Sequence, residues 1–162
     1  MAEMVHELES CNGFGDVFEV VKRAVQKSLG MRRAGLTLVL GDIPTHIGAY
    51  HVMGSNSIVL NRTLYEAVSS LASGRTELNA YLFAILTHEY LHSLGITEEM
   101  MVRQLVQKVG EECLGPEHPA VVMASRGIWN VYPGLQGLRG AESHPDYEVV
   151  KDFDTSSMPY IA

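Results

Sequence analysis

The sequence predicts an α+β fold in which a small mixed sheet packs on two helices. Three long segments, residues 14–29, 77–94 and 97–114, are apolar at helical spacing or around most of a helix. Between residues 35 and 60 lie three short runs with the composition of strands. A length of 162 residues fits one domain with a substantial core. We therefore expect a single domain over residues 1–162, with residues 126–162 an irregular C-terminal segment packed on it.

The first long helix is predicted over residues 14–29, beginning near Asn12 and ending at Gly30. Residues 1–13 are polar and show no clear period. The opposite face of the helix is charged and should be solvated. Its apolar face is formed by Val17, Val20, Val21, Ala24, Val25 and Leu29.

Three strands are predicted next. Residues 35–41 form a β-rich run bounded by glycines, and residues 47–52 and 57–60 flank a turn-forming cluster at residues 54–56. His46 and His51 fall in this region, and neither has the spacing of a metal ligand to a partner. We therefore expect ordinary surface or loop roles for both.

Three helical segments follow the strands. Residues 62–73 form a short amphipathic helix, and residues 97–114 form a long one that backs the fold. Between them, residues 77–94 contain no proline or glycine, can take Thr76 as their N-cap, and end before Gly95. This middle helix is apolar on nearly every side, which indicates that it is buried.

The middle helix carries His88, Glu89 and His92 in the pattern H-E-x-x-H. Histidines four residues apart stand one turn above each other, so both imidazoles can converge on one ion while Glu89 points beside it. Buried polar groups need partners, and a bound metal would supply one. The pattern therefore predicts a zinc site. The alternative is that the histidines bond to backbone groups in a core.

The run from His88 to Glu98 reads H-E-x-x-H-x-x-G-x-x-E and resembles the zincin metallopeptidases, with metzincin-like spacing and Glu98 where another ligand type is usual. It is most similar to the small, single-domain zincins of the minimal type, over roughly residues 36–110. Gly95 would permit the sharp turn that returns a third ligand to the site. The resemblance implies a zincin-like fold and a Zn²⁺ centre of His88, His92 and Glu98.

The identity of the third ligand stays open among several acids and one histidine. Glu98 is our first choice, although Glu98 and Glu99 can also complement the dipole of a helix that Thr97 caps. A more distant group would be used if a later helix supplied the ligand. The alternatives to Glu98 are Glu99, Glu111, Glu112 and His118.

The function predicted from this centre is zinc-dependent peptide hydrolysis. Glu89 would take the proton from the zinc-bound water during attack on the carbonyl and pass it to the leaving amine. An oxyanion donor is also expected, and the candidates are Tyr132, Tyr147, His118 and His144. A peptide or protein substrate could pair along the strand at residues 57–60 if that strand forms a sheet edge, whereas an internal strand could not bind it.

Two other functions stay open from the sequence. One is a catalytically silent or latent zinc-binding scaffold or regulator, against which the intact Glu89 argues. The other is a metal-dependent hydrolase of a non-peptide substrate. A net charge of −7 with no basic stripe argues against a nucleic-acid partner.

Composition predicts a cytoplasmic protein. There is no apolar run near eighteen residues and no charged-then-apolar leader, so we expect neither a membrane span nor a secretory signal. Cys11 and Cys113 show no C-x-x-C spacing and should be reduced core thiols.

The C-terminal part of the chain gives weaker signals. Residues 116–124 form either a short helix or the methionine turn that metzincins place beneath the zinc. After Arg126 the chain is rich in glycine and proline with scattered aromatic residues. We expect part of this segment to fold over the active-site cleft, because its aromatic side chains would otherwise expose apolar surface.

Overall fold

The computed structural model describes residues 2–138 and 147–155. These residues form a helix-rich α/β structure with one small sheet. The helices are α1 (Ala2–Glu9), α2 (Phe14–Leu29), α3 (Arg62–Leu71), α4 (Arg75–Ser93), α5 (Glu99–Leu114), α6 (Pro119–Arg126) and α7 (Ile128–Val131), followed by a 3₁₀ helix (Pro133–Leu138). The strands are β1 (Thr37–Gly41), β2 (Ala49–His51), β3 (Ser57–Asn61) and β4 (Tyr147–Val149).

The four strands form one mixed sheet in the order β2-β3-β1-β4. Strand β1 runs parallel to β3, with Thr37 opposite Ser57, and antiparallel to β4. Strand β2 runs antiparallel to β3, with Ala49 opposite Leu60. The small mixed sheet is thus confirmed, and β4 is an addition. That strand is too short and too exposed to show an alternating pattern.

Of the two alternatives for residues 57–60, the structure shows the internal strand rather than the sheet edge. Strand β3 bonds to β1 on one side and to β2 on the other, so its backbone groups are already paired. No substrate strand can be added there. Among the described strands, β2 and β4 are the edges. Strand order depends on contacts between distant segments, which the local pattern of residues 57–60 does not encode.

Helix α4 lies at the centre of the molecule. It packs against α1, α2, α5 and α6 and also against β2. Leu82, Leu86 and Leu91 are fully buried on it, which confirms a helix that is apolar nearly all round. The helix begins earlier than predicted: Gly74 occupies the N-cap position and Thr76 lies inside the first turn. Cys11 and Cys113 are buried free thiols at other points in this core.

The end of α4 is set by Gly95. This residue has a φ of +99°, a backbone conformation that side-chain-bearing residues rarely adopt. The turn lets α5 start at Glu99 and run back across α4. Gly95 therefore places the beginning of α5 beside the last turns of α4, as the sequence predicts.

The described part of the C-terminal segment contains regular structure. Residues 119–126 are helical, which confirms the short-helix prediction, and Met123 is a buried residue within that helix rather than in a turn. Residues 147–155 pack elsewhere: Phe153 stacks on Phe18 with ring centroids 4.3 Å apart. The predicted cover over the cleft involves, in part, residues 139–146 and 156–162, which lie outside the described residues.

None of the described helices is both long enough and apolar enough to cross a membrane.

Candidate metal centre

The last two turns of α4 bring His88 and His92 together. Their ring centroids are 5.1 Å apart and the ring planes meet at 62°. Both side chains are mostly buried, with 24% and 20% of their surfaces exposed. The helical spacing predicted from the sequence thus places both imidazoles on one side of the helix.

The ring of His92 is held in one orientation by the loop after α4. Its Nδ1 atom lies 2.8 Å from the carbonyl oxygen of Ile96. A carbonyl oxygen can only accept a hydrogen bond, so Nδ1 carries the proton and donates it. Nε2, the atom that faces the neighbouring acid, is the atom that the neutral ring would offer to a metal. This is the arrangement by which proteins orient a histidine for a metal.

Glu99, the first residue of α5, supplies the acid beside these rings. One of its carboxylate oxygens contacts Nε2 of His88 and lies 3.3 Å from Nε2 of His92. One ligand atom from each residue lies within 4.8 Å of the other two, so His88, His92 and Glu99 could hold a metal ion.

The acid and its neighbouring histidine influence each other's protonation. Burial lowers the pKa of His88, although the Glu99 carboxylate opposes that change. Burial would raise the pKa of Glu99, but the two histidines outweigh it and the pKa is lowered. Both shifts favour an uncharged His88 ring and an ionised Glu99 carboxylate, which are the forms that bind a metal.

The first choice for the third ligand, Glu98, is the N-cap residue of α5 and lies outside this group of three described residues. The more distant alternatives are also elsewhere. Glu112 bonds to Ser28 and Lys108, and His118 caps α6 by accepting from the Ala120 amide. The structure thus brings Glu99, rather than Glu98, to the two histidine rings. Which acid points inward depends on where α5 begins, and sequence analysis locates helix ends only to within a residue or two.

Glu89 is the next residue on α4 and is 4% exposed. Its Oε2 atom has no hydrogen-bond partner within the described residues. Burial raises the pKa of this carboxyl to about 7, an effect that His92 opposes. A buried carboxyl oxygen without a partner is costly, and a bound ion or a catalytic role would account for it.

A main cleft of about 580 Å³ opens beside these residues, between β2 and the end of α4. Its lining is formed by Arg33, Ala49, Tyr50, His51, Met53, Gly54, His88, Glu89, His92, Ser93, Gly95, Thr97 and Glu99. Glu89 therefore has a route to solvent despite its burial. The cleft has the size of a small-ligand or peptide site.

Sequence reasoning missed the side of the main cleft that lies outside α4 and the turn after it, which includes Arg33, Tyr50 and His51. Arg33 donates to the Ser93 carbonyl at 2.5 Å, so it ties the cleft wall to the end of α4. Tyr50 and His51 lie on the edge strand β2. His51 was expected in an ordinary loop role, and its Nε2 does lie 3.0 Å from the Ser55 carbonyl. Only the position of β2 in the sheet could have revealed that these side chains reach the site.

The predicted oxyanion donors lie elsewhere or are not described. The Tyr132 hydroxyl donates to Glu77 near the start of α4, about 16 Å along the helix from His88. Tyr147 is on β4, and neither it nor His118 lines the main cleft. His144 lies outside the described residues.

The donor set suits zinc, because zinc commonly takes imidazole nitrogens together with a carboxylate oxygen. The His92 ring held by the Ile96 carbonyl and the buried Glu89 oxygen, which has no partner in the described residues, are further observations consistent with a metal centre. No family model matches this chain, and it has no significant match among curated proteins or among solved structures. Evidence for its function therefore comes from its own residues.

Proposed function

We propose that this protein is a zinc-dependent peptidase in which His88, His92 and Glu99 hold the ion and Glu89 is the general base. The observation that carries the proposal is the position of Glu89. Its buried, unpartnered Oε2 atom lies in the same cleft as the three converging ligand atoms. A structural acid in a core would have a partner.

Each residue has a defined task in this mechanism. His88, His92 and Glu99 would hold the zinc, which would act as a Lewis acid toward the attacking water and the peptide carbonyl when bound. Glu89 accepts the proton from the attacking water as the water adds to the peptide carbonyl, and then delivers it to the leaving amine. Burial keeps this carboxyl poorly solvated, which favours proton transfer near neutral pH.

The substrate would bind along β2 in place of the strand first considered. Ala49, Tyr50 and His51 all line the main cleft, and β2 is an edge of the sheet. An extended peptide laid beside an edge strand pairs with its free backbone groups. This arrangement would pass the peptide backbone near Glu89 and the two histidines.

A metal-binding scaffold without turnover is the second candidate. One observation favours it: Tyr132, Tyr147 and His118, the expected oxyanion donors within the described residues, do not line the main cleft. Arg33 and His51 do line it, but both are already engaged by backbone carbonyls. The scaffold keeps the same metal ligands and differs only in lacking hydrolysis.

Zinc reconstitution followed by a proteolysis assay tests these alternatives. The purified protein is stripped with a chelator, titrated with Zn²⁺, and assayed on casein and on a mixed peptide library. We expect one zinc per chain, hydrolysis that depends on zinc, and a loss of about 10²–10⁴-fold in Glu89→Gln. Glu98→Gln is the matched control and should retain full activity.

The other outcomes are equally clear. Stoichiometric zinc with no hydrolysis by the wild-type protein would favour the scaffold. Failure to bind zinc would overturn both candidates, since each depends on the same three ligands.

A further inference from the structure

A second pocket of about 380 Å³, the side pocket, adjoins the main cleft. The two share Ala49, His88 and Glu89, so a molecule in one lies directly beside the other. The side pocket is lined by residues of α4, α5 and α6 and of the chain that leads into β2 and α7. Apart from these shared residues, the proposed catalytic chemistry does not use the side pocket.

The floor of the side pocket is apolar. Its aliphatic lining is formed by Ala84, Ile85, Val106, Met123 and Ile128. Gly48 helps to keep this space open, because a Cβ atom there would lie 2.8 Å from Cδ1 of Ile85. Such a surface binds an apolar side chain by removing both from water.

One buried polar group also faces the side pocket. Tyr81 is only 4% exposed and lines it, and its hydroxyl has no hydrogen-bond partner within the described part of the chain. A buried hydroxyl is destabilising unless it is bonded. An oxygen atom of a bound ligand would satisfy it.

Two arginines give the side pocket a positive charge. Arg103 and Arg126 both line it, and across residues 2–138 and 147–155 neither guanidinium forms an ion pair with a carboxylate. This is notable in a chain with a net charge of −7. An exposed guanidinium can bind a carboxylate through two parallel hydrogen bonds.

We propose that the side pocket binds the C-terminal residue of a peptide, with its apolar side chain on the aliphatic floor and its α-carboxylate at Arg103 and Arg126. The proposal rests on the proposed function, because the shared residues His88 and Glu89 make the bound residue part of the substrate. It assigns a substrate class: peptides that end in a free carboxylate after an apolar residue. Cleavage would then fall close to the C-terminus.

Binding of a minimal ligand tests the pocket separately from hydrolysis. N-acetyl-leucine and N-acetyl-leucinamide differ in the carboxylate alone, and their affinities are measured by NMR titration of the intact protein, with Zn²⁺ and with chelator. We expect the acid to bind at least about tenfold more tightly than the amide under both conditions. The shifted amide signals should belong to Ala84, Ile85 and Ile128.

Three variants locate the interaction. The double substitution Arg103→Gln with Arg126→Gln should remove the preference for the acid. Arg32→Gln removes one positive charge from an exposed loop residue that lines neither the main cleft nor the side pocket, and it should preserve the preference. Ala124→Phe places a ring in the side pocket from an exposed position and should weaken both ligands. Circular dichroism confirms that each variant is folded.

Equal affinity for the acid and the amide would overturn the proposal, as would retention of the preference in the double arginine variant. A tight, arginine-dependent acid complex in a protein that hydrolyses no peptide would instead leave the side pocket established and refute the peptidase.

Discussion

Asp154 and Glu89 both have buried carboxylates, but the two carboxylates differ in their hydrogen-bond partners. The Asp154 side chain is 0% exposed, and its two oxygens accept from Lys22 Nζ at 2.8 Å and from the Leu36 amide at 3.0 Å. Glu89 has an oxygen with no partner in the described residues and lies in an open cleft. The chain can supply partners for a buried carboxylate where it needs them. Their absence at Glu89 therefore suggests a chemical role.

The contacts of Asp154 with Lys22 and Leu36, which we call the Asp154 anchor, attach the end of the described chain to the core. Phe153 stacks on Phe18, and the Lys22 ammonium lies 5.2 Å from the centre of that same ring. The anchor holds Asp154 to Lys22 on α2 and to Leu36, and none of these three residues lines the main cleft, although Arg33 of the same loop does. Substitutions at the two places should therefore have separable effects on stability and on zinc chemistry.

The largest change in stability is expected from Lys22→Met. Removing the ammonium leaves the Asp154 carboxylate buried without its charged partner, so the free energy of unfolding should fall by about 3–5 kcal/mol. Urea denaturation measures this loss. Lys108→Met removes an exposed ion pair to Glu112 and should leave the midpoint nearly unchanged. Equal effects of the two substitutions would show that the anchor contributes no specific stability.

A smaller but more specific effect, on zinc affinity, is expected from substitutions of the adjacent acids Glu98 and Glu99. Glu99→Gln should weaken zinc binding by at least about 100-fold, beyond what the loss of an outer hydrogen-bond partner usually costs. Glu98→Gln should leave the affinity unchanged, because that residue lies outside the cluster. Competition with a chromophoric chelator measures both constants. The reverse order of effects would restore Glu98 as the ligand.

Gly95→Ala tests the turn that connects the two parts of the centre. A φ of +99° is unfavourable for alanine, so the free energy of unfolding should fall by about 1 kcal/mol. Zinc affinity should fall as well, since the turn carries the Ile96 carbonyl that orients His92. Gly137→Ala is the control, because that site is exposed and open. If the two variants unfolded with the same midpoint and bound zinc equally well, this role of Gly95 would be contradicted.

The smallest expected effect has the opposite sign. In the metal-free protein at pH 8, Glu89→Gln should raise the free energy of unfolding by about 1 kcal/mol, because it replaces a buried carboxylate whose Oε2 atom has no hydrogen-bond partner in the described residues. Asp154→Asn should lower it, since the Lys22 ammonium then loses its buried carboxylate partner, although Glu19 remains 2.7 Å away. Thermal denaturation of the two variants compares them directly. Destabilisation by both would mean that Glu89 has a structural partner after all.

The helices and the H-E-x-x-H geometry could be predicted because both depend on local spacing. A helical period is visible within one segment, and His88 and His92 meet through a single turn of backbone. The end of α4 before Gly95 could be predicted for the same reason, because it depends on the backbone of neighbouring residues. Sequence reasoning located these features without knowledge of any distant contact.

The features that failed or were missed depend on distant contacts. Strand β2 lies at the edge of the sheet, and residues 57–60 do not, because β1 pairs with the other side of β3. His51 and Arg33 reach the main cleft only through the packing of β2 and the loop before β1. Glu99 rather than Glu98 meets the rings because of the residue at which α5 begins. None of these choices is encoded by the spacing of neighbouring residues.

The most direct test of the metal centre is a crystal structure of the zinc-loaded protein with data collected at the zinc absorption edge. We predict one anomalous peak bound by Nε2 of His88, Nε2 of His92 and the carboxylate of Glu99, with Glu89 near the ion but not bound to it. A peak elsewhere, or an ion whose coordination is completed by Glu89 or Glu98 in place of Glu99, would contradict the account.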